Sequence, residues 1–344
     1  MSVPINRFEY FARMFSKLFR KKIVETTQLP KPQSIERFSL YAKTQSRFSI
    51  PDWDRVDESL AERLVHEDPH LLWSSVAIAW LDELRSVLGE PYSVSSSDHF
   101  LLLSPSSERE AKLFLDYAEK TRKRILHLLD GIASDGGYGK SCVLAFSDID
   151  SYYEYVANYY PSECEYAFSS GMYINDGYGH FVYVAAEMPT IEPIIAHELT
   201  HMQLTHLPLP AWLNEGLAVN TENILSPRSG SHFTNAEMRS KHSAFWNNQT
   251  IQEFWSGKSF LRTDDGNLLS YDLSKQITTL ISQNRASFVN FANAADMFDS
   301  GQQAAERHLG IPLEHAVSHL LGAGNWRPEP LLWANPPELG GFID

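Results

Sequence analysis

Apolar residues along this chain fall into helical spacings and short continuous runs, and the two alternate in a definite order. From Asp57 to Leu88 the apolar positions Leu60, Leu64, Leu71, Leu72, Val76, Ala79, Trp80 and Leu84 keep a helical period. Asp68-Pro69 predicts a break there, hence two helices. Gly89, Pro91 and the serines at 95–97 end this portion and place a boundary near residue 95. The run from His99 to Leu103 then reads as a buried strand, and Glu108 to Gly131 as a long amphipathic helix. Cys142–Phe146 reads as a second strand and Asp150–Tyr159 as a short helix. Gly171–Asn175 and His180–Ala186 are two further strands, joined through the hairpin dipeptide Asp176-Gly177. After them the pattern is helical. One helix carries Pro193 in its early turns, where a missing N–H costs little. Others are predicted at 271–281, 287–298, 302–309 and 313–321, with a polar loop and short helix over 223–243. Residues 323–344, rich in proline and glycine, predict an extended tail that crosses the surface or a cleft.

The chemistry concentrates between Pro193 and Glu222. His197-Glu198-Leu199-Thr200-His201 places two histidines four residues apart, on one helix face and able to grip one ion. Glu198, rotated by about 100° from His197, flanks such an ion without ligating it, where a general base belongs. A catalytic zinc site wants a third protein ligand and one open position. By spacing alone, His206 and Glu215 both remain available, and the bland reading of the five-residue motif is a salt-bridged helix face.

Trp212-Leu213-Asn214-Glu215-Gly216-Leu217-Ala218, whose glutamate lies 14 residues after His201, resembles the W-L-N-E-G-x-A segment of the gluzincin metallopeptidases. The gap, shorter than in aminopeptidase N-like enzymes, resembles that of the small peptidase MA-like group. The resemblance implies one zinc ion per chain on His197, His201 and Glu215, with Glu198 as base. His206 is then a polar loop residue. The metzincin pattern is not met, because Leu204 and Leu207 stand where that pattern needs glycine and histidine.

The resemblance also implies an α+β fold. A zincin-like catalytic subdomain over 96–222 would pack a mixed sheet on the motif helix, a helical segment over 1–95 would precede it, and a mainly helical subdomain over 223–322 would follow. Residues 180–187 would form the sheet edge beside the cleft, where a peptide backbone docks. The segment beginning at Tyr271 resembles the helix that supplies the oxyanion donor, which makes Tyr271 the second catalytic candidate. Glu222 and Asp272 are candidates to orient the ligating histidines. The implied activity is hydrolysis of a peptide or protein substrate. Val184–Met188 lacks the G-x-M-E-N that holds a free amino end in aminopeptidases, which favours an endopeptidase or another mode, although Glu187 is available for such a part.

Composition narrows the partners. The chain has 344 residues, 43% hydrophobic and 12% aromatic, with a formal net charge of −14. That charge argues against general nucleic-acid binding. It is uneven: residues 1–24 carry six basic side chains against Glu9, leaving −19 on the remainder. Over 6–24, Phe8, Phe11, Phe15, Leu18 and Phe19 interleave with Arg13, Lys17, Arg20 and Lys21 as a basic amphipathic helix. Its favoured reading is packing on its own domain, and its second a weak contact with an anionic membrane surface. Charges interrupt it too often for a signal peptide. Two cysteines, Cys142 and Cys164, form no disulfide framework and fit a cytoplasmic setting. A rival reading keeps the fold but makes the protein a catalytically silent or self-blocked binding module.

Overall fold

The computed structural model describes residues 46–159, 170–227 and 233–333. The basic helix expected over 6–24, Cys164 and the end of the tail lie outside the described residues.

Two helices open the described chain. Helix α1 (Trp53–Leu60) is capped by Asp52, whose side chain accepts from the Arg55 N–H. Helix α2 (Pro69–Leu88) starts where Asp68 accepts from the N–H groups of His70 and Leu71, with Pro69 in the first turn. The break expected at Asp68-Pro69 is therefore a capped helix start. A short 3-10 turn, Arg63–Val65, separates the two helices.

Five strands follow: β1 (Ser93–Ser96), β2 (Phe100–Ser104), β3 (Ser141–Phe146), β4 (Gly171–Ile174) and β5 (His180–Val184). Their spatial order is β1-β2-β3-β5-β4. The pairs β2/β3 and β3/β5 are parallel, while β1/β2 and β4/β5 are antiparallel, so the sheet is mixed. Helix α3 (Glu108–Leu128) crosses from β2 to β3 and opens with a capping box of Ser107 and Glu110. Helix α4 (Ile149–Val156) follows β3.

The sheet is covered on both faces, which is why its strands read as continuous apolar runs. Phe100, Leu102, Val143, Ala145, Phe181 and Tyr183 share one core with α3 and the motif helix. Leu101, Leu103, Cys142, Leu144, Phe146 and Val182 share the other with α1, α2 and α4.

Two expectations are corrected here. Strand β5 is not the sheet edge: it pairs with β3 on one side and β4 on the other. The Asp176-Gly177 hairpin folds β4 to its outside, which moves the edge to β4 and β1. Gly177, at φ +60°, also has no room for a Cβ beside the Trp53 indole. Strand β1 was not anticipated, because its Ser-Val-Ser-Ser sequence has turn composition; it straddles residue 95 and pairs with β2.

The rest is helical. Helix α5 (Met188–Leu204) carries the motif, and α6 (Ala211–Leu225) follows a short loop. Then come α7 (Asn235–Phe245), α8 (Thr250–Trp255), α9 (Asp265–Ile281), α10 (Arg285–Ala294), α11 (Gln302–His308) and α12 (Leu313–Leu321). Helix α5 starts five residues before Pro193, so that proline lies inside it. There it deprives the Pro189 carbonyl of its helical donor. Helix α8, six residues long, was too short to leave a period.

The tail does not run freely across the surface as far as it is described. Trp326 and Trp333 are buried, and Gln252 of α8 takes both the Glu329 N–H and the Trp333 indole N–H on Oε1 while donating to the Arg327 carbonyl. Among the described residues, no helix is long and apolar enough to cross a membrane.

Candidate metal centre

Helices α5 and α6 build the site, and several residues of the α6 segment have separate tasks. Trp212 is fully buried, donates its indole N–H to the Ser300 carbonyl at 3.0 Å, and packs against Phe254, Trp255 and Phe291. Leu213 and Leu217 join the same core. Gly216 lies against α9, where a Cβ would collide with Thr278 Oγ1 and stand 2.7 Å from the Ser274 carbonyl oxygen. With one side pinned and the other pressed on α9, Glu215 faces α5.

There it meets the two histidines. Ligand atoms of His197, His201 and Glu215 all lie within 4.8 Å of one another, a group that could hold a metal ion. Glu215 Oε2 is 3.2 Å from His197 Nε2, and Glu215 Oε1 is 3.5 Å from His201 Nε2. The imidazole centroids are 4.8 Å apart. Both nitrogens of buried His201, and Glu215 Oε2, make no well-aligned hydrogen bond despite this proximity. Buried polar atoms are almost always bonded. Donor atoms that converge without bonding each other suit a cation between them, and two imidazoles with one carboxylate are donors a zinc-type ion prefers.

The electrostatics point the same way. Burial opposes charge on His197, but the close Glu215 and Glu222 carboxylates, with the Glu198 charge nearby, outweigh it. Its proton affinity is held well above the usual imidazole range. Burial likewise opposes charge on Glu215, yet His201 and His197 hold its pKa below the ordinary carboxylate value. The pocket therefore attracts positive charge.

The surrounding candidates separate. Glu222 Oε2 lies 3.3 Å from His197 Nδ1, so His197 donates from Nδ1 and turns Nε2 toward Glu215. Asp272 does not reach the ligating histidines, because it accepts from His242 Nε2 at 2.8 Å and from Gln276 Nε2 at 2.5 Å. Tyr271 lies beside the site, its ring centroid 6.4 Å from that of His197. Glu198 is buried next to His197 in α5. His206 is exposed in the loop after α5, bonded to the Ile132 backbone and outside the ligand group. Sequence reading missed His242 and Trp246, whose i,i+4 spacing on α7 was the available signal.

No family model matches the chain, and no curated protein matches it at a significant level.

Proposed function

We propose that the chain is a zinc-dependent metallopeptidase of the gluzincin type, close to the peptidase MA-like group, hydrolysing peptide bonds in a peptide or protein substrate. The observation that carries this reading is the convergence of His197, His201 and Glu215, with the His201 nitrogens left unbonded in a buried site. The mixed sheet packed beside the motif helix supports the zincin-like architecture that goes with it.

His197 and His201 through Nε2, and Glu215 through its carboxylate, would hold the ion. Bound there, zinc supplies a Lewis acid that polarises a carbonyl and brings the pKa of water toward about 7. Glu198 takes the proton of the attacking water onto a carboxylate oxygen and returns it to the leaving amine nitrogen. Its side chain is buried beside His197, away from bulk water. Tyr271 offers a hydroxyl toward the negative charge that develops on the substrate oxygen. Glu222 fixes the tautomer and ring orientation of His197.

Elemental analysis of the purified chain beside Glu215→Ala tests the reading. About one zinc per wild-type chain, a large loss in the variant, and peptide cleavage abolished by Glu198→Gln are the expected results. A wild-type chain that takes up no zinc when supplied with it overturns the proposal.

A further inference from the structure

The ligand group is not equally enclosed on all sides. The side chains of His201 and Glu215 are 1% and 3% exposed, whereas that of His197 is 13% exposed. The site therefore opens past His197, and the residues around His197 form its mouth. Tyr271 of α9 lies on that side against the His197 ring. Asp272 is the next residue of the same helical turn.

Asp272 is held in an uncommon way for a carboxylate. Trp246 donates its indole N–H to His242 Nδ1 at 2.8 Å. An indole can only donate, so Nδ1 carries the lone pair and the imidazole is the neutral Nε2–H tautomer. That Nε2–H is spent on Asp272 Oδ2, and Gln276 donates to the same oxygen. His242 is thus a neutral donor and brings no countercharge. Among the described residues no salt bridge from a lysine or arginine reaches Asp272. Lys275 adds a more distant field, and His242 would add an attraction of its own only by taking up a second proton, which the Trp246 N–H opposes.

The outcome is an ionised carboxylate, about three-quarters buried, with one oxygen held by two donors and the other, Oδ1, without a hydrogen bond among the described residues. Burial opposes its charge, but the His242 and Gln276 bonds hold its pKa below the ordinary value. Tying α7 to α9 would need only the neutral bonds; it does not need a charge that the fold leaves uncompensated. Such a charge beside a binding site is a receptor for a cation.

We propose that Asp272 is the specificity carboxylate of this site and receives an organic cation, an ammonium or guanidinium, carried by the substrate peptide within a residue or two of the bond to be cut. Asp272 follows Tyr271 directly on α9, where neighbouring side chains leave the helix about 100° apart, and an extended substrate that passes Tyr271 advances about 3.3 Å per residue. This inference rests on the peptidase reading and names the substrate class for it. The cation is either a lysine or arginine side chain or the free amino end of the peptide.

The test uses the full chain carrying Glu198→Gln, loaded with zinc, so that binding is read without turnover. Fluorescent peptides with one lysine are compared with norleucine counterparts, each with a free and an acetylated amino end, by anisotropy. The expected result is binding at least 10-fold tighter for the cationic member of one pair, erased when Asp272→Asn is added. The asparagine keeps an acceptor for His242, so a thermal unfolding midpoint close to that of the parent should accompany it. The lysine pair and the acetylated pair tell the two sources of cation apart. Equal binding of all four peptides, or a preference that survives Asp272→Asn, overturns the anchor. Turnover of neutral peptides by the wild-type chain alongside equal binding would sink the anchor while leaving the peptidase standing. A cation preference with no turnover of any peptide would do the reverse.

Discussion

His197 donates from Nδ1 to Glu222 Oε2 across 3.3 Å, which ties the middle of α5 to the second half of α6. Glu222 lies seven residues, two turns, beyond Glu215 and so projects from the same face of α6. One helix thus supplies both a ligand and the group that aims another ligand. Glu222→Gln keeps the size and an acceptor oxygen but removes the charge that raises the basicity of His197. Zinc affinity should fall about 10- to 100-fold. Competition with a fluorescent chelator measures it, and an unchanged far-ultraviolet circular dichroism spectrum shows that the fold is kept. Affinity equal to that of the wild type would remove Glu222 from the site.

Gly216 predicts a coupling between packing and metal binding. An alanine Cβ there would collide with Thr278 Oγ1 and stand 2.7 Å from the Ser274 carbonyl oxygen. The backbone oxygen cannot turn away, so α6 and α9 must separate. Overpacking of this kind costs about 1–3 kcal/mol. Because Glu215 precedes Gly216 directly, the same shift should weaken zinc binding. Urea unfolding and zinc titration of Gly216→Ala report the two effects, and a stable variant with full zinc affinity would contradict the close helix contact.

Gln252 holds the C-terminal segment in place. Its side chain serves the Arg327 carbonyl, the Glu329 N–H and the Trp333 indole, and it is itself buried. Gln252→Ala leaves these groups unmatched at about 1 kcal/mol each, a loss of about 2–3 kcal/mol in all. Deleting the chain from residue 323 onward exposes Trp255 and its neighbours as well and should cost more. Equilibrium unfolding compares the two. A deletion without effect would mean that the segment rests on the core without supporting it.

The sequence exposes those parts of the molecule whose signals are local. The break at Asp68-Pro69, the strand Cys142–Phe146 and the hairpin at Asp176-Gly177 each depend on residues within a few positions, and each is found. His197, His201 and Glu215 were nameable because helix geometry fixes the first two and a seven-residue segment marks the third; the structure brings all three together. The position of β5 inside the sheet was not legible, because strand order depends on which side a hairpin folds to, and both faces of β5 are buried. Asp272 was misassigned for a related reason. Its partner His242 is 30 residues away on α7, and no local spacing relates the two. Burial of Trp326 and Trp333 was hidden by the prolines around them, which suggested a free tail although the indoles needed a core.

His180 makes stability depend on pH. It is fully buried on β5, where Nδ1 donates to the Tyr178 carbonyl at 2.7 Å and Nε2 lies 2.8 Å from the Tyr155 hydroxyl. Since Nδ1 carries the proton, Nε2 accepts from Tyr155, and the rings of Trp80, Tyr155 and Tyr159 surround the imidazole. A second proton would find only the neutral Tyr155 hydroxyl to bond and would put an unpaired charge among buried rings. Burial accordingly pushes the pKa down to about 4, from 6.5 in an exposed chain. Above pH 6.5 neither the folded nor the unfolded form binds the proton, and the group contributes no pH dependence. Between 6.5 and about 4 the unfolded chain binds it and the folded one does not, so stability falls as pH falls. The full loss at pH 4 is about 3 kcal/mol. Urea unfolding at pH 7.5, 6 and 5 reads the slope. His180→Gln should be less stable than the wild type at pH 7.5 yet lose less on acidification, because the titrating group is gone. Parallel slopes for the two chains would show that His180 is not held neutral.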